Sequence, residues 1–382
     1  MIRITNLQLP LDHDDQALND AILARLSIQQ DDMLDFVVHR RGYDARKKTN
    51  IVLIYTLDVN TTQNETLLAT FTGDQLIKPS PDMSYKFVAH AQTTAPASQQ
   101  RPLVIGFGPC GLLAGLVLAQ MGYKPIILER GAAVRQRTKD TFGFWRKKIL
   151  NTDSNVQFGE GGAGTFSDGK LYTQVKDPNH YSRKVLAEFV AAGAPEEILF
   201  VSKPHIGTFR LVSMVEKMRA QIEELGGEVR FDGRVDDVHI DQGQITGVTL
   251  ADGEVIHSKH VALAIGHSAR DTFKMLFDKK VYIEAKPFSI GFRIEHPQSA
   301  IDEARFGKNA GNEILGAADY KLVHHCDNGR SVYSFCMCPG GTVVAAASEP
   351  HQVVTNGMSQ YSRAERNANS AIVVGIDPSD YP

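Results

Sequence analysis

The stretch Leu103 to Gly131, LVIGFGPCGLLAGLVLAQMGYKPIILERG, leaves few choices of fold. A short apolar strand runs into glycines at Gly106, Gly108 and Gly111. An apolar helix follows to about Met121, and a second strand, Pro125 to Leu128, ends in Glu129. Gly106 permits the tight strand-to-helix turn, Gly108 admits a pyrophosphate close to the backbone, and Gly111 lets helix and strand pack closely. The helix start offers unpaired N–H groups and a partial positive charge to phosphates. Glu129, at the strand end, is placed to accept from a ribose 2′-hydroxyl and would repel a 2′-phosphate. The stretch predicts a dinucleotide site. A glycine turn used only for packing is the competing reading, and the flanking strand, helix and acidic strand end count against it.

A chain of 382 residues can bury a sizeable core and divide into two or three domains. Its 41 basic and 44 acidic side chains leave a net charge of −3, so no global field draws in nucleic acid or an anionic membrane. The N-terminus carries no signal-like segment, and no apolar run approaches the roughly 20 residues that span a bilayer. Four cysteines, Cys110, Cys326, Cys336 and Cys338, are too few for a disulfide scaffold and suit a reducing compartment. The expected location is cytoplasmic.

Residues 1–92 read as a small α+β module of β-α-β-β order. Its strands are MIRITNLQLPL, Met33 to His39 and Asn50 to Val59, and its helix carries Leu18, Ile22 and Leu26 at helical spacing. His39 to Lys48 is the most basic stretch, either a solvated strand end or a docking surface for a phosphate-rich ligand or partner. Thr93 to Arg101 reads as a linker. Beyond the glycine turn, helices are expected over Ala132–Ile149, His180–Ala192 and Thr208–Leu225. A meander is expected over Arg234–Ile240, Ile245–Leu250 and Val255–His257, then a buried strand over His260–Gly266. From Ala269 the texture turns to strand and loop, including Pro287–Ile294, Tyr320–His325, Ser331–Met337 and Thr342–Ala347.

Val156 to Leu171, VQFGEGGAGTFSDGKL, holds five glycines. Glycine loses more backbone entropy on folding than other residues, so such density implies repeated positive φ or a chain lying against something large and flat. The reading is a second wall of the cofactor site, with the N–H groups of Gly161, Gly162, Ala163, Gly164 and Thr165 facing it. A flexible surface loop is the alternative.

Taken together, GFGPCG, Glu129-Arg130, FGEGGAGTFSDGKL, PHIGT, AIGHSARDT, KPFSIGFRIEHPQ and FCMCPGGTVVAAASEPHQVVTNGMS resemble the FAD-dependent dehydrogenases, or NAD(P)/FAD-dependent oxidoreductases, that carry an N-terminal extension. The resemblance runs over nearly the whole chain. It implies FAD in an α/β, Rossmann-like domain of glutathione-reductase type over 102–270, with a mainly antiparallel substrate domain over 271–382, the module over 1–92 and the linker over 93–101. Cofactor contacts then fall to Gly106, Gly108, Pro109, Cys110, Gly111, Glu129, Arg130, Gly161, Gly162, Ala163, Gly164, Thr165 and Gly266, with Val235 where adenine is held. Proteins of this class return at the C-terminus with a strand, an acidic glycine-rich turn and a helix facing the flavin. Val373 to Pro382 carries no such return, so the expectation is a shortened chain with part of the flavin wall missing.

The expected activity is hydride transfer through FAD to or from a small-molecule substrate, with NAD(P)H as a candidate reductant and no nucleic-acid or membrane partner. An NAD-dependent enzyme using the single dinucleotide fold and a non-catalytic flavin-binding sensor stand as alternatives. Candidates for assisting side chains are Lys170, His205, His267, Cys336 and Cys338, each set against a structural role. Cys110 reads mainly as a small buried filler. A zinc site from Cys326, Cys336, Cys338 and His324 or His325 matches no usual ligand spacing.

Overall fold

The computed structural model describes residues 1–92 and 101–381, and all of the expected linker but Arg101 lies outside them. The chain begins with β1 (Ile2–Pro10), α1 (Asp15–Leu26), β2 (Met33–Asp44), β3 (Val52–Thr61), α2 (Asn64–Thr70) and β4 (Ile77–Pro79). The strands form one antiparallel sheet in the order β2-β3-β1-β4. Alternation builds it: Leu53, Tyr55, Leu57 and Val59 of β3 are buried on one face. Asp14 caps α1 by accepting from Ala17 N at 2.8 Å, and Leu18, Ile22 and Leu26 turn inward. The β-α-β-β order appears as expected, extended by α2 and β4. β2 runs on through His39 to Asp44, and there Arg41 N donates to Phe200 O at 2.6 Å while Ser202 N donates to Arg41 O at 2.8 Å. The basic stretch is therefore largely strand, stitched to a later part of the chain.

The second region comprises β5 (Leu103–Ile105), α3 (Pro109–Gln120), β6 (Ile126–Leu128), α4 (Val134–Lys147), α5 (Tyr181–Ala191), α6 (Thr208–Glu224) and β7 (Glu228–Arg230). It continues with β8 (Val235–Asp241), β9 (Gln244–Leu250), β10 (Val255–His257), β11 (Val261–Leu263) and α7 (Arg270–Asp278). The order β11-β5-β6-β7 is parallel throughout, and β8, β9 and β10 form the expected antiparallel meander. α3 and α6 pack on one face, where Leu112, Leu116, Leu211, Val215, Met218 and Ile222 share a core. Gly115 allows this approach, since a Cβ there would lie 2.5 Å from Ile127 Cδ1. The strand expected to be buried over His260–Gly266 is instead a short edge strand. Leu263 is 46% exposed because β11 ends the sheet and faces a cavity.

The last region holds β12 (Phe288–Pro297), α8 (Gln298–Phe306), β13 (Val323–His325), β14 (Ser331–Cys338), β15 (Gly341–Ala345), β16 (Thr355–Ser359) and β17 (Asn367–Ile376). It is antiparallel, in the order β12-β17-β14-β13 with β15 and β16 as a separate pair. The sequence reading missed β17, although it is an interior strand of the larger sheet. Its opening Asn-Ala-Asn-Ser looks like loop, yet Ala368, Asn369 and Ser370 are fully buried, and Asn369 Oδ1 accepts from Arg293 Nη1 at 2.5 Å. α7 and α8 were also missed. Among the described residues no helix is long and apolar enough to cross a membrane.

The N-terminal module shares its core with this last region. Phe306, Leu315 and Ala318 join the cluster of Ile2, Ile22 and Leu57, and the Phe306 ring meets Tyr43 edge-on at 5.7 Å. Phe306→Ala is expected to cost about 3–5 kcal/mol by emptying a fully buried site between the two regions. Urea unfolding checks the magnitude, and protease cleavage between module and body checks that the loss falls at their junction.

Candidate functional site

The strand-to-helix turn has the geometry its glycines suggest. Gly106 sits at φ +97°, and a Cβ there would lie 2.5 Å from Ala264 O, while one on Gly111 would lie 1.9 Å from Gly106 O. Gly108 caps α3 and Pro109 fills its first position, where a missing N–H costs nothing. The start of α3 thus presents free N–H groups and the positive end of the helix dipole.

The second glycine segment lies directly against this turn. Gly161 N donates to Phe107 O at 2.8 Å. A Cβ on Gly162, at φ +57°, would come within 2.7 Å of Gly108 Cα. The two glycine turns touch through bare backbone, so they form the two walls of one cradle.

Between these walls and β11 lies a cavity of about 570 Å³, within the ordinary range for small-molecule sites. Gly106, Gly108, Pro109, Cys110, Glu129, Arg130, Gly162, Ala163, Gly164, Val235 and Gly266 line it, as does His267. Gly111, Gly161 and Thr165 stand behind the wall. Cys110 is exposed in the cavity, contrary to the buried filler expected, because it occupies the first turn of α3 on the side away from the sheet. Arg130 stacks over Phe158, 4.5 Å from guanidinium to ring centre, and donates to Asp271 at 2.9 Å.

Glu129, expected to accept from a ribose, lines the cavity and also holds three backbone N–H groups. Its buried carboxylate accepts from Phe107 N at 2.7 Å and from Gly131 N and Gly159 N at 2.9 Å each. One side chain thereby ties the first turn, the exit of β6 and the second glycine segment together. The other tie is Arg137, which sequence reasoning missed. Fully buried, it donates to Asn155 O, Val156 O and Gly162 O at 2.8 Å and to Glu160 O at 2.6 Å. Burial lowers its pKa to about 10, with Glu129 and Glu160 opposing the shift. A glycine-rich loop leaves carbonyls that need a donor, and an arginine on the preceding helix was the available signal.

Lys170, His205, Cys336 and Cys338 do not line this cavity. Lys170 and Cys336 line a separate cleft of about 880 Å³, beside Arg40 and Tyr43 of the N-terminal module. Lys170 Nζ lies 3.3 Å from Asp168 and 3.8 Å from Cys338 Sγ. His205 stacks on Tyr361 and shares a hydrogen bond of 2.8 Å with its carbonyl; burial, then Arg363, lowers its pKa. Asp168, 1% exposed, is gripped by Arg363 at 2.5 and 2.9 Å. Among the described residues no three His, Cys, Asp or Glu side chains gather as a metal site.

Residues 287–382 match the family model described as "FAD-dependent protein, C-terminal domain-like", and residues 1–60 match a domain of unknown function. An uncharacterized protein of Clostridium beijerinckii is 43% identical over 384 residues, covering 100% of this chain and 70% of its own length. Among solved structures, THI4 of Thermovibrio ammonificans aligns at 19% identity and TM-score 0.33, covering 55% of this chain and 72% of that one. An L-amino acid deaminase of Proteus vulgaris, with its specific insertion deleted, aligns at 11% and 0.37, covering 80% and 85%.

Arg137→Met is expected to leave the loop carbonyls unpaired, costing roughly 3–5 kcal/mol, read by urea unfolding. Asp168→Asn carries a pH signature. Burial raises the Asp168 pKa, but Arg363 and Lys170 outweigh it and hold the carboxyl below its ordinary value. The stabilisation is therefore complete above about pH 4 and lost as pH falls through the lowered folded pKa. The stability gap between wild type and Asp168→Asn should be full at pH 7 and narrow below about pH 4, as followed by denaturation across that range.

Proposed function

The chain belongs to a family of FAD-dependent proteins, the one that includes the Clostridium beijerinckii protein; FAD is its cofactor, its chemistry is that of a flavin oxidoreductase, and on that premise we propose that it is a dehydrogenase of glutathione-reductase-like design. The observation that carries this reading is the backbone contact of Gly108 with Gly162 at the start of α3. That cradle fits a dinucleotide, since it pairs free N–H groups with walls that a Cβ would close.

In this proposal the N–H groups at the start of α3 take the pyrophosphate, and the backbone around Val235 takes adenine at the far end of the cavity. Glu129 holds the turn in shape through its three N–H bonds, and Arg137 keeps the second wall from opening. His267 is the titratable side chain at the cavity best placed to hold a proton near the substrate, its Nδ1 hydrogen-bonded to Ser268 Oγ at 2.8 Å. Bound FAD supplies acceptance and donation of an electron pair. The reductant is proposed to be NAD(P)H and the second substrate a small molecule. The four free cysteines accord with a cytoplasmic setting.

The purified chain, incubated with FAD, freed of unbound FAD and kept under argon, is expected to show the visible flavin bands and to lose them on adding NADH or NADPH. Retained bands after both reductants would overturn the dehydrogenase reading and favour a flavin-binding protein without turnover. Gly162→Val is expected to weaken FAD binding at least tenfold, since the new side chain would strike Gly108 and Pro109; equal affinity by fluorescence titration would remove the cradle from the cofactor site.

A further inference from the structure

The large cleft beside the N-terminal module holds chemistry that the FAD reading does not use. β14 breaks its pairing with β17 between Phe335 and Cys338, and Cys336 there takes φ +47°. A non-glycine residue in that region is uncommon and worth a functional question. The bulge inverts the usual alternation: Phe335 is 61% exposed while Met337, two residues on, is buried. It also sets the Cys338 thiol against Cys336, whose carbonyl accepts from Cys338 Sγ at 3.4 Å.

The two thiols sit in different surroundings. Cys336 is half-buried and opens on the cleft, whereas Cys338 is fully buried. Lys170 Nζ reaches Cys338 Sγ at 3.8 Å, and the Arg293 guanidinium sits against Cys336 O at 3.3 and 3.4 Å. The hydrogen bond from Cys338 is the largest influence on the Cys336 thiol; with Lys170 and Arg293 it overcomes burial and draws the pKa down, while Cys338 is pushed up. Exposed, low-pKa thiols beside cations are the reactive kind, and a protonated neighbour can act second. The cleft itself carries Arg40, Lys170, Lys203 and Lys321 against one acid, Asp319.

We propose that Cys336 and Cys338 form a thiol–disulfide exchange site in this cleft, taking a small anionic disulfide as substrate. The Cys336 thiolate attacks one sulfur of R–S–S–R, forming a Cys336–S–S–R bond and releasing R–S⁻. Cys338 then gives up its proton and attacks the Cys336 sulfur, expelling the second R–S⁻ and leaving a Cys336–Cys338 disulfide. The substrate gains two electrons, the cysteine pair loses two, and the Cys338 proton leaves on one released thiol. An added dithiol returns the pair to its starting state. The site stands apart from the FAD cavity and does not rest on how FAD is used.

The test uses the full chain, reduced and desalted, with dithiodiglycolate as the anionic probe and cystamine as its cationic counterpart, at pH 6. A thiol whose pKa is drawn down carries more thiolate at that pH, and its lower intrinsic nucleophilicity takes back part of the gain. Cys336 is therefore expected to react several-fold faster than a small free thiol of ordinary pKa. Peptide mass spectrometry should show a Cys336–Cys338 disulfide, with two thioglycolates released for each such disulfide formed. Cys338→Ser should stop at the Cys336 mixed disulfide, and Cys336→Ala should leave Cys338 unreacted. Measured against a small reference thiol reacting with each probe, the preference should shift several-fold away from cystamine and toward dithiodiglycolate. Adducts forming first at Cys110 or Cys326, a lasting Cys336 mixed disulfide in the unsubstituted chain, or a probe ratio equal to that of a small reference thiol would each overturn the proposal. If Cys338→Ser does not fold, as judged by circular dichroism, the site assignment and probe ratio in the unsubstituted chain still decide it.

Discussion

Two glycine turns in backbone contact are what the rest of the molecule serves. Such contact is stable only if the polar groups around it are satisfied, because buried N–H and carbonyl groups without partners cost about as much as a lost hydrogen bond each. Glu129 supplies acceptors to three N–H groups and Arg137 supplies donors to four carbonyls. Both are buried charges, and a buried charge is tolerated when its hydrogen-bonding capacity is filled. Here each uses its charge on the backbone, so the two side chains rigidify segments too rich in glycine to hold a shape alone.

The same economy of partners organises the second cleft. Asp168 follows the second glycine segment closely and is clamped by Arg363 from the C-terminal region. Lys170 lies between Asp168, at 3.3 Å, and Cys338, at 3.8 Å. One short length of chain thus carries the cavity wall at Gly162 to Gly164 and one side of the cleft at Lys170.

The N-terminal module reads in sequence as a separate unit and keeps its own sheet. Its position is set by Phe306, Leu315 and Ala318, which complete its core from nearly the far end of the chain. Through that packing the module supplies Arg40 and Tyr43 to the large cleft.

Sequence alone determined the elements whose signals are local. The glycine spacing gave away the β5-α3-β6 unit, alternation revealed β3 and the meander, and helical spacing placed α1 and α6, since these patterns reflect periods of two and 3.6 residues. The cavity lining was legible for the same reason, because glycines mark where backbone comes close. β17 was not legible: its Asn369 and Ser370 look like loop until Arg293 and the neighbouring strands satisfy them. Nor was Arg137, whose role exists only once four carbonyls from a distant loop converge on it. The candidate side chains divided in the same way. Residue type proposed Lys170, His205, His267, Cys336 and Cys338 together, but only the packing of β14, the Asp168 segment and the module separated His267 at the first cavity from Lys170 and Cys336 at the cleft, with Cys338 buried and His205 stacked on Tyr361. Contacts between residues far apart in the chain have no period to read, so tertiary structure alone decided them.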